Sequence, residues 1–80
     1  MQGTELDQAI VECMGDPDSL AFGNEVIDII TARQRGEITE FEAQYLLMEM
    51  RDVRAAQSLA SNETAARWVY TACTLALKVV

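Results

Sequence analysis

The sequence contains no histidine and only two cysteines, Cys13 and Cys73, among its 80 residues. Without histidine, the chain lacks both the commonest general base and the commonest metal ligand, which argues against an enzyme. A structural zinc site needs about four Cys or His ligands, so two isolated cysteines do not provide one. We therefore expect no catalytic residue, no metal and no cofactor.

Disulfide bonds are not expected either. Neither cysteine belongs to a Cys-x-x-Cys pair, and an isolated cysteine on an apolar helix face usually behaves as a small hydrophobic residue. The first residues do not resemble a secretory signal, so the simplest interpretation is a cytoplasmic protein with two reduced thiols. Small scaffolds are usually stabilised by disulfides, a metal or self-association, and of these self-association remains.

Long apolar runs are also missing. Residues 68–77 form an uncharged stretch bounded by Arg67 and Lys78. A bilayer core requires about twenty apolar residues, so we expect no membrane contact. Half of the residues are hydrophobic and proline occurs once, which excludes a disordered tail.

The acidic residues are distributed unevenly. Residues 1–30 carry seven acids and no base, whereas residues 31–80 carry six acids and six bases. The first thirty residues therefore account for the whole net charge of −7. Five of their acids form a predicted acidic face: Glu5, Asp7, Glu12, Asp16 and Asp18. Either a basic protein partner binds this face, or the charge keeps a small protein soluble, and both interpretations stay open.

Helix caps and apolar periodicity predict an all-α fold, a small helical bundle of about four helices in one domain over residues 1–80. The expected helices span residues 5–14, 17–35, 40–60 and 63–79. A break in the second helix near residues 23–24 stays open, because glycine inside a helix costs about 1 kcal/mol relative to alanine. Helices three and four are expected to form an antiparallel hairpin.

Short polar residues mark where each helix should begin. Thr4 and Thr39 open capping patterns, and Asn62 marks the start of the last helix. Asp16 followed by proline predicts the start of helix two. Gly15 is predicted to end helix one in the left-handed conformation.

Helix three carries two apolar stripes, which predicts that it buries more than one side. One stripe comprises Phe41, Tyr45, Met48, Ala55 and Leu59. The other comprises Ala43, Leu46, Leu47, Met50 and Val53. Such a wide apolar arc suits a helix in the middle of a bundle.

The last helix has almost no polar face. Its water-facing residues form one narrow line: Glu63, Arg67, Thr71, Thr74 and Lys78. Because one small chain has few neighbours with which to cover the remaining arc, we expect a homodimer packed through it. The predicted interface residues are Trp68, Val69, Tyr70, Leu75, Leu77 and Val79. The alternative is a monomer in which the first two helices wrap the last one.

These features favour an interaction protein over an enzyme. The expected function is a structural or adaptor module that self-associates through its C-terminal helix, of a size found among small phage and mobile-element proteins. The alternative is an acidic inhibitor or nucleic-acid mimic that occupies a basic site on a nucleic-acid-handling protein. The chain itself is not expected to bind nucleic acid directly, because its charge repels phosphate.

Overall fold

The fold is that of a computed structural model, which describes residues 4–80. These residues are 75% helical and contain no strand. The helices are α1 (Glu5–Met14), α2 (Leu20–Gln34), α3 (Glu40–Glu49), α4 (Ala55–Ser58) and α5 (Glu63–Ala76). A π-helical turn, Met50–Arg54, joins α3 to α4 without a break. The predicted small helical bundle with four helical segments is therefore confirmed.

Helix α5 lies at the centre of the bundle and contacts each of the other helices. In the π turn, Met50 Sδ lies 3.6 Å from Cys73 Sγ, whereas farther along the chain Ala55 shares a cleft with Ala66. Contacts thus move backwards along α5 as the chain advances, as in an antiparallel hairpin. Small core residues of α5, such as Ala72, bring the helices close together.

Three of the predicted caps are present. Thr4 Oγ1 accepts a hydrogen bond from the backbone N–H of Asp7 at 3.1 Å. The capping box at Thr39 is complete, because the Thr39 hydroxyl accepts from the Glu42 N–H and the Glu42 carboxylate accepts from the Thr39 N–H. Asn62 Oδ1 accepts from the Ala65 N–H at 3.1 Å. These side chains satisfy helix N–H groups that otherwise have no partner.

The connection between α1 and α2 differs from the prediction. Gly15 has φ −83°, a right-handed conformation, so the predicted left-handed stop is wrong. Helix α2 begins at Leu20 rather than residue 17, because Asp16 forms a turn in which its carboxylate accepts from the Asp18 N–H at 2.9 Å. The left-handed glycine is Gly36, with φ 74°, just after α2.

Helix α2 is continuous through Gly23, which answers the question left open by the sequence. A Cβ atom at this position would lie 3.0 Å from Cys13 Cβ and 3.1 Å from Met14 Sδ. The missing side chain therefore lets α1 pack closely onto α2. This close approach explains the glycine better than a helix break does.

The π turn changes which face of the third helical segment is buried. One extra residue in a helix of 3.6 residues per turn rotates everything after it by about 100°. Phe41 and Tyr45 consequently face solvent, although Ala55 and Leu59, from the same predicted stripe, are buried. The expectation that α3 buries both stripes is wrong. The stripe that begins at Phe41 is exposed before the π turn and buried after it.

A buried serine connects the first two helices. Ser19 is fully buried, and its Oγ donates to the Cys13 carbonyl oxygen at 2.8 Å. Because Ser19→Ala leaves that carbonyl poorly partnered, we expect the free energy of unfolding to fall by about 1–2 kcal/mol in urea titrations. The exposed Ser61 provides the control, and Ser61→Ala should change stability by less than about 0.5 kcal/mol. Equal effects for the two variants would show that the hydrogen bond contributes nothing.

Candidate partner-binding surface

A line of exposed apolar side chains runs along α3. Phe41, Tyr45 and Met48 are 77%, 58% and 46% exposed, and their spacing places them on one side of the helix. We call these three residues the apolar ridge. Ala43 and Leu47, on the opposite side of α3, are fully buried in the core. The apolar ridge therefore points directly away from the bundle.

The surface beside the apolar ridge is also apolar. Ile38 and Leu46, both half-buried, line a shallow cleft of about 190 Å³ together with Phe41 and Tyr45. Val53 is exposed and lies five residues after Met48, about one turn of a π-helix. The line of apolar side chains thus continues past the end of α3.

The segment that carries the apolar ridge is acidic. Residues 37–54 contain five acids and only two bases. We call the acids the acidic rim: Glu37, Glu40, Glu42, Glu49 and Asp52. Arg51 Nε donates to Asp52 at 2.8 Å, and Arg54 forms a bidentate pair with Glu25 at 2.5 and 2.7 Å. Arg51 offsets the charge of Asp52, whereas the other four acids of the rim keep this segment negative.

The same two arginines fix the π turn to its neighbours. The hydrogen bonds from Arg54 hold the pKa of Glu25 below its usual range, and Arg51 lowers the pKa of Asp52 in the same way. The Arg51 guanidinium also lies 5.1 Å from the Tyr70 ring centroid, a cation–π contact with α5. The π turn is therefore attached to α2 on one side and to α5 on the other.

The predicted interface on α5 is mostly covered within the chain. Val69 is fully buried, and Trp68, Leu75 and Leu77 are half-buried against the core. Only Tyr70 and Val79 of the six predicted residues are exposed. Helix α5 is covered because it is the central helix, whereas the sequence analysis expected too few neighbours to cover it.

The exposed residue Val79 lies on a different surface from Tyr70. Val79 lines a groove of about 380 Å³ between α1 and α2, whose apolar walls include Ile10 and Ile27. Tyr70 lines a separate cleft beside Arg51. The structure thus does not bring the six predicted interface residues together on one free surface.

The five predicted acidic residues do not form one face either. Glu5 and Glu12 are seven residues apart and share one side of α1, whereas Asp7 lines the groove that contains Val79. The Asn62 side-chain amide donates to Asp18 at 2.7 Å and to Asp16 at 3.5 Å. These last two carboxylates therefore brace the start of α5.

The two cysteines are free thiols inside the core. Burial raises the pKa of Cys13 to about 11 and the pKa of Cys73 to about 12. Since the thiolate is the reactive form, neither thiol is activated for nucleophilic chemistry at neutral pH.

Among residues 4–80, no group of three or more His, Cys, Asp or Glu side chains is placed to hold a metal ion. Over the same residues, no helix has both the length and the apolar character needed to cross a bilayer.

Sequence reasoning missed the apolar ridge because it assigned Phe41, Tyr45 and Met48 to the core. The sequence did contain a signal for an exposed apolar surface. The two stripes of α3 include residues on opposite sides of one helix, and a helix needs only one apolar side to pack against the core. Comparison with known proteins finds no matching family model, curated protein or solved structure. The apolar ridge and the acidic rim occupy the same segment of the chain.

Proposed function

We propose that this chain is a non-enzymatic protein–protein interaction module whose contact surface is the apolar ridge. The observation that carries the proposal is the alignment of three large, exposed apolar side chains on the side of α3 opposite its core contacts. Exposed apolar residues scattered singly are ordinary on protein surfaces. A contiguous apolar patch with a polar rim is typical of interaction sites, and aromatic residues and methionine are enriched there.

The apolar ridge is built on a rigid element. The capping box at Thr39 fixes the first turn of α3, and the buried Leu47 anchors the opposite side of the helix. A partner therefore meets side chains on an ordered backbone, which reduces the conformational entropy lost on binding. Burying a side chain such as Phe41 contributes about 1.5–3 kcal/mol, so a few anchors suffice for a specific contact.

The proposal keeps the interaction role expected from the sequence but moves its surface from α5 to α3. Val69 lies in the core, so it is not accessible to a second molecule. The acidic composition agrees with a basic protein partner. Two reduced thiols suit the reducing cytoplasm, where we propose that the module acts.

Site-specific photocrosslinking in the native host tests this function. A benzophenone amino acid at position 41 is expected to capture a defined protein, which mass spectrometry of the crosslinked band identifies. The matched control carries the same amino acid at Val11, which is 63% exposed on α1 and lies away from the ridge. Capture of no protein at position 41, or of the same proteins at both positions, would contradict the proposed function.

A further inference from the structure

From the charge around the apolar ridge we infer the class of partner: a basic amphipathic helix of another protein. This inference rests on the proposed function and deepens it. The ridge provides the apolar contact, and the acidic rim selects the charge of the molecule that makes it. Residues 37–54 are more acidic than the composition of residues 31–80 suggests, because residues 31–80 as a whole carry equal numbers of acids and bases.

The shape of the ridge favours a helix as the occupant. Phe41 and Met48 are separated by seven residues, or about 10 Å along α3 at a rise of 1.5 Å per residue. A partner helix presents its own apolar side chains at the same spacing, so two turns of it can lie along the ridge. The shallow cleft at Ile38 and Leu46 offers room for one partner side chain.

The acidic rim lies on both sides of the ridge. Glu42 and Glu49 are seven residues apart and follow one side of it, and Glu40 lies on the other side. Lysine or arginine residues that flank the apolar stripe of a partner helix would reach these carboxylates. The ion pairs of Arg51 and Arg54 are with Asp52 and Glu25, not with these three carboxylates.

A second copy of this chain fits the ridge poorly. In a two-fold antiparallel pairing of α3 through the ridge, Glu42 of one molecule would lie beside Glu49 of the other, at both ends of the contact. Each molecule also carries a net charge of −7. Like charges brought together in this way oppose association, whereas a basic helix is attracted.

Model peptides test the inference directly. A helical peptide of Leu and Lys, with the leucines on one face, is titrated into the full chain and followed by calorimetry. Two analogues replace every Lys by Gln or by Glu. We expect the Lys peptide to bind at least about tenfold more tightly than the Gln peptide, the Glu peptide not to bind, and salt to weaken the Lys complex.

Variants locate the binding site. The double variant Phe41→Ser, Tyr45→Ser is expected to weaken binding of the Lys peptide by about tenfold or more. Val11→Ser is the control, because the exposure of Val11 lies between those of Phe41 and Tyr45, and Val11 stands beside Glu12 in the acidic first thirty residues. If the double variant and Val11→Ser weaken peptide binding equally, general acidity alone attracts the peptide, and the inference is overturned.

Two other results also overturn the inference, without touching the proposed function. One is tighter binding of the Gln peptide than of the Lys peptide. The other is a dimer in sedimentation equilibrium that the Phe41→Ser, Tyr45→Ser variant dissociates, since the occupant would then be a second copy. If photocrosslinking at position 41 captures a protein while the Lys peptide fails to bind, the interaction module stands and the basic partner does not.

Discussion

The Val69→Glu variant is expected to lose its helical fold at 25 °C. Val69 is fully buried at the centre of the bundle, so the substitution removes an apolar contact and buries a carboxylate. The first effect costs about 1.5–3 kcal/mol, and an unpaired buried charge costs several kcal/mol more. A domain of this size has a free energy of unfolding of about 4–12 kcal/mol. The two costs together are of similar size, so the variant is expected to be unfolded. Far-UV circular dichroism measures the loss.

The adjacent residue supplies the control. Tyr70 is 54% exposed, so Tyr70→Glu should retain the helical spectrum and lower the free energy of unfolding by no more than about 1 kcal/mol. The sequence analysis predicted instead that Val69 belongs to a dimer interface. A folded, monomeric Val69→Glu protein derived from a dimeric parent would support that prediction and contradict the core position of Val69.

Raising the pH from 8 to 10 is expected to lower the free energy of unfolding by about 2–3 kcal/mol. The pKa of an unfolded thiol is near 9.0, whereas burial raises it to about 11 for Cys13 and about 12 for Cys73. Above pH 9 the unfolded chain therefore loses thiol protons that the folded chain keeps. Stability is fully present below pH 9 and falls as the pH rises toward 11–12, by about 1.4 kcal/mol per pH unit for each thiol.

Urea titrations at both pH values measure how the free energy of unfolding changes with pH. Alanine variants then show how much of this change comes from each thiol. The comparison is between the slopes of the parent and the variants, not between their absolute stabilities. Cys73→Ala should remove about half of the pH dependence, and adding Cys13→Ala should remove most of the rest. If the double variant keeps the slope of the parent, the thiols do not cause the alkaline loss of stability.

The capped starts of three helices were the most predictable part of the fold, whereas α2 begins at Leu20 and not at residue 17. Thr4, Thr39 and Asn62 all cap helices as expected, because a cap is a local arrangement of a side chain and the next few N–H groups. The antiparallel pairing of the third and fourth segments was also predictable, since the connection between them is short. The backbone conformation of Gly15 was not predictable, because glycine adopts right-handed and left-handed conformations about equally readily.

The candidate surface was harder to predict, because it depends on long-range packing. A periodicity of 3.6 residues assigns Phe41 and Leu59 to the same stripe, yet one is exposed and the other buried. The difference arises at the π turn, which arginine contacts with α2 and α5 hold in place. Likewise, the position of α5 decides which of the two apolar faces of α3 meets the core. The sequence of α3 alone does not decide it.

The π turn gives this helix two sets of residues that evolution can change at different rates. Before it, exposed side chains such as Tyr45 contribute little to the core, so they are free to diverge as a partner changes. After it, Ala55 and Leu59 are held by packing. Deleting one residue from Met50–Arg54 would exchange these roles and turn Leu59 toward water. Lineages of this protein should therefore vary in the identity of the ridge residues while conserving the length of the segment between residues 48 and 55.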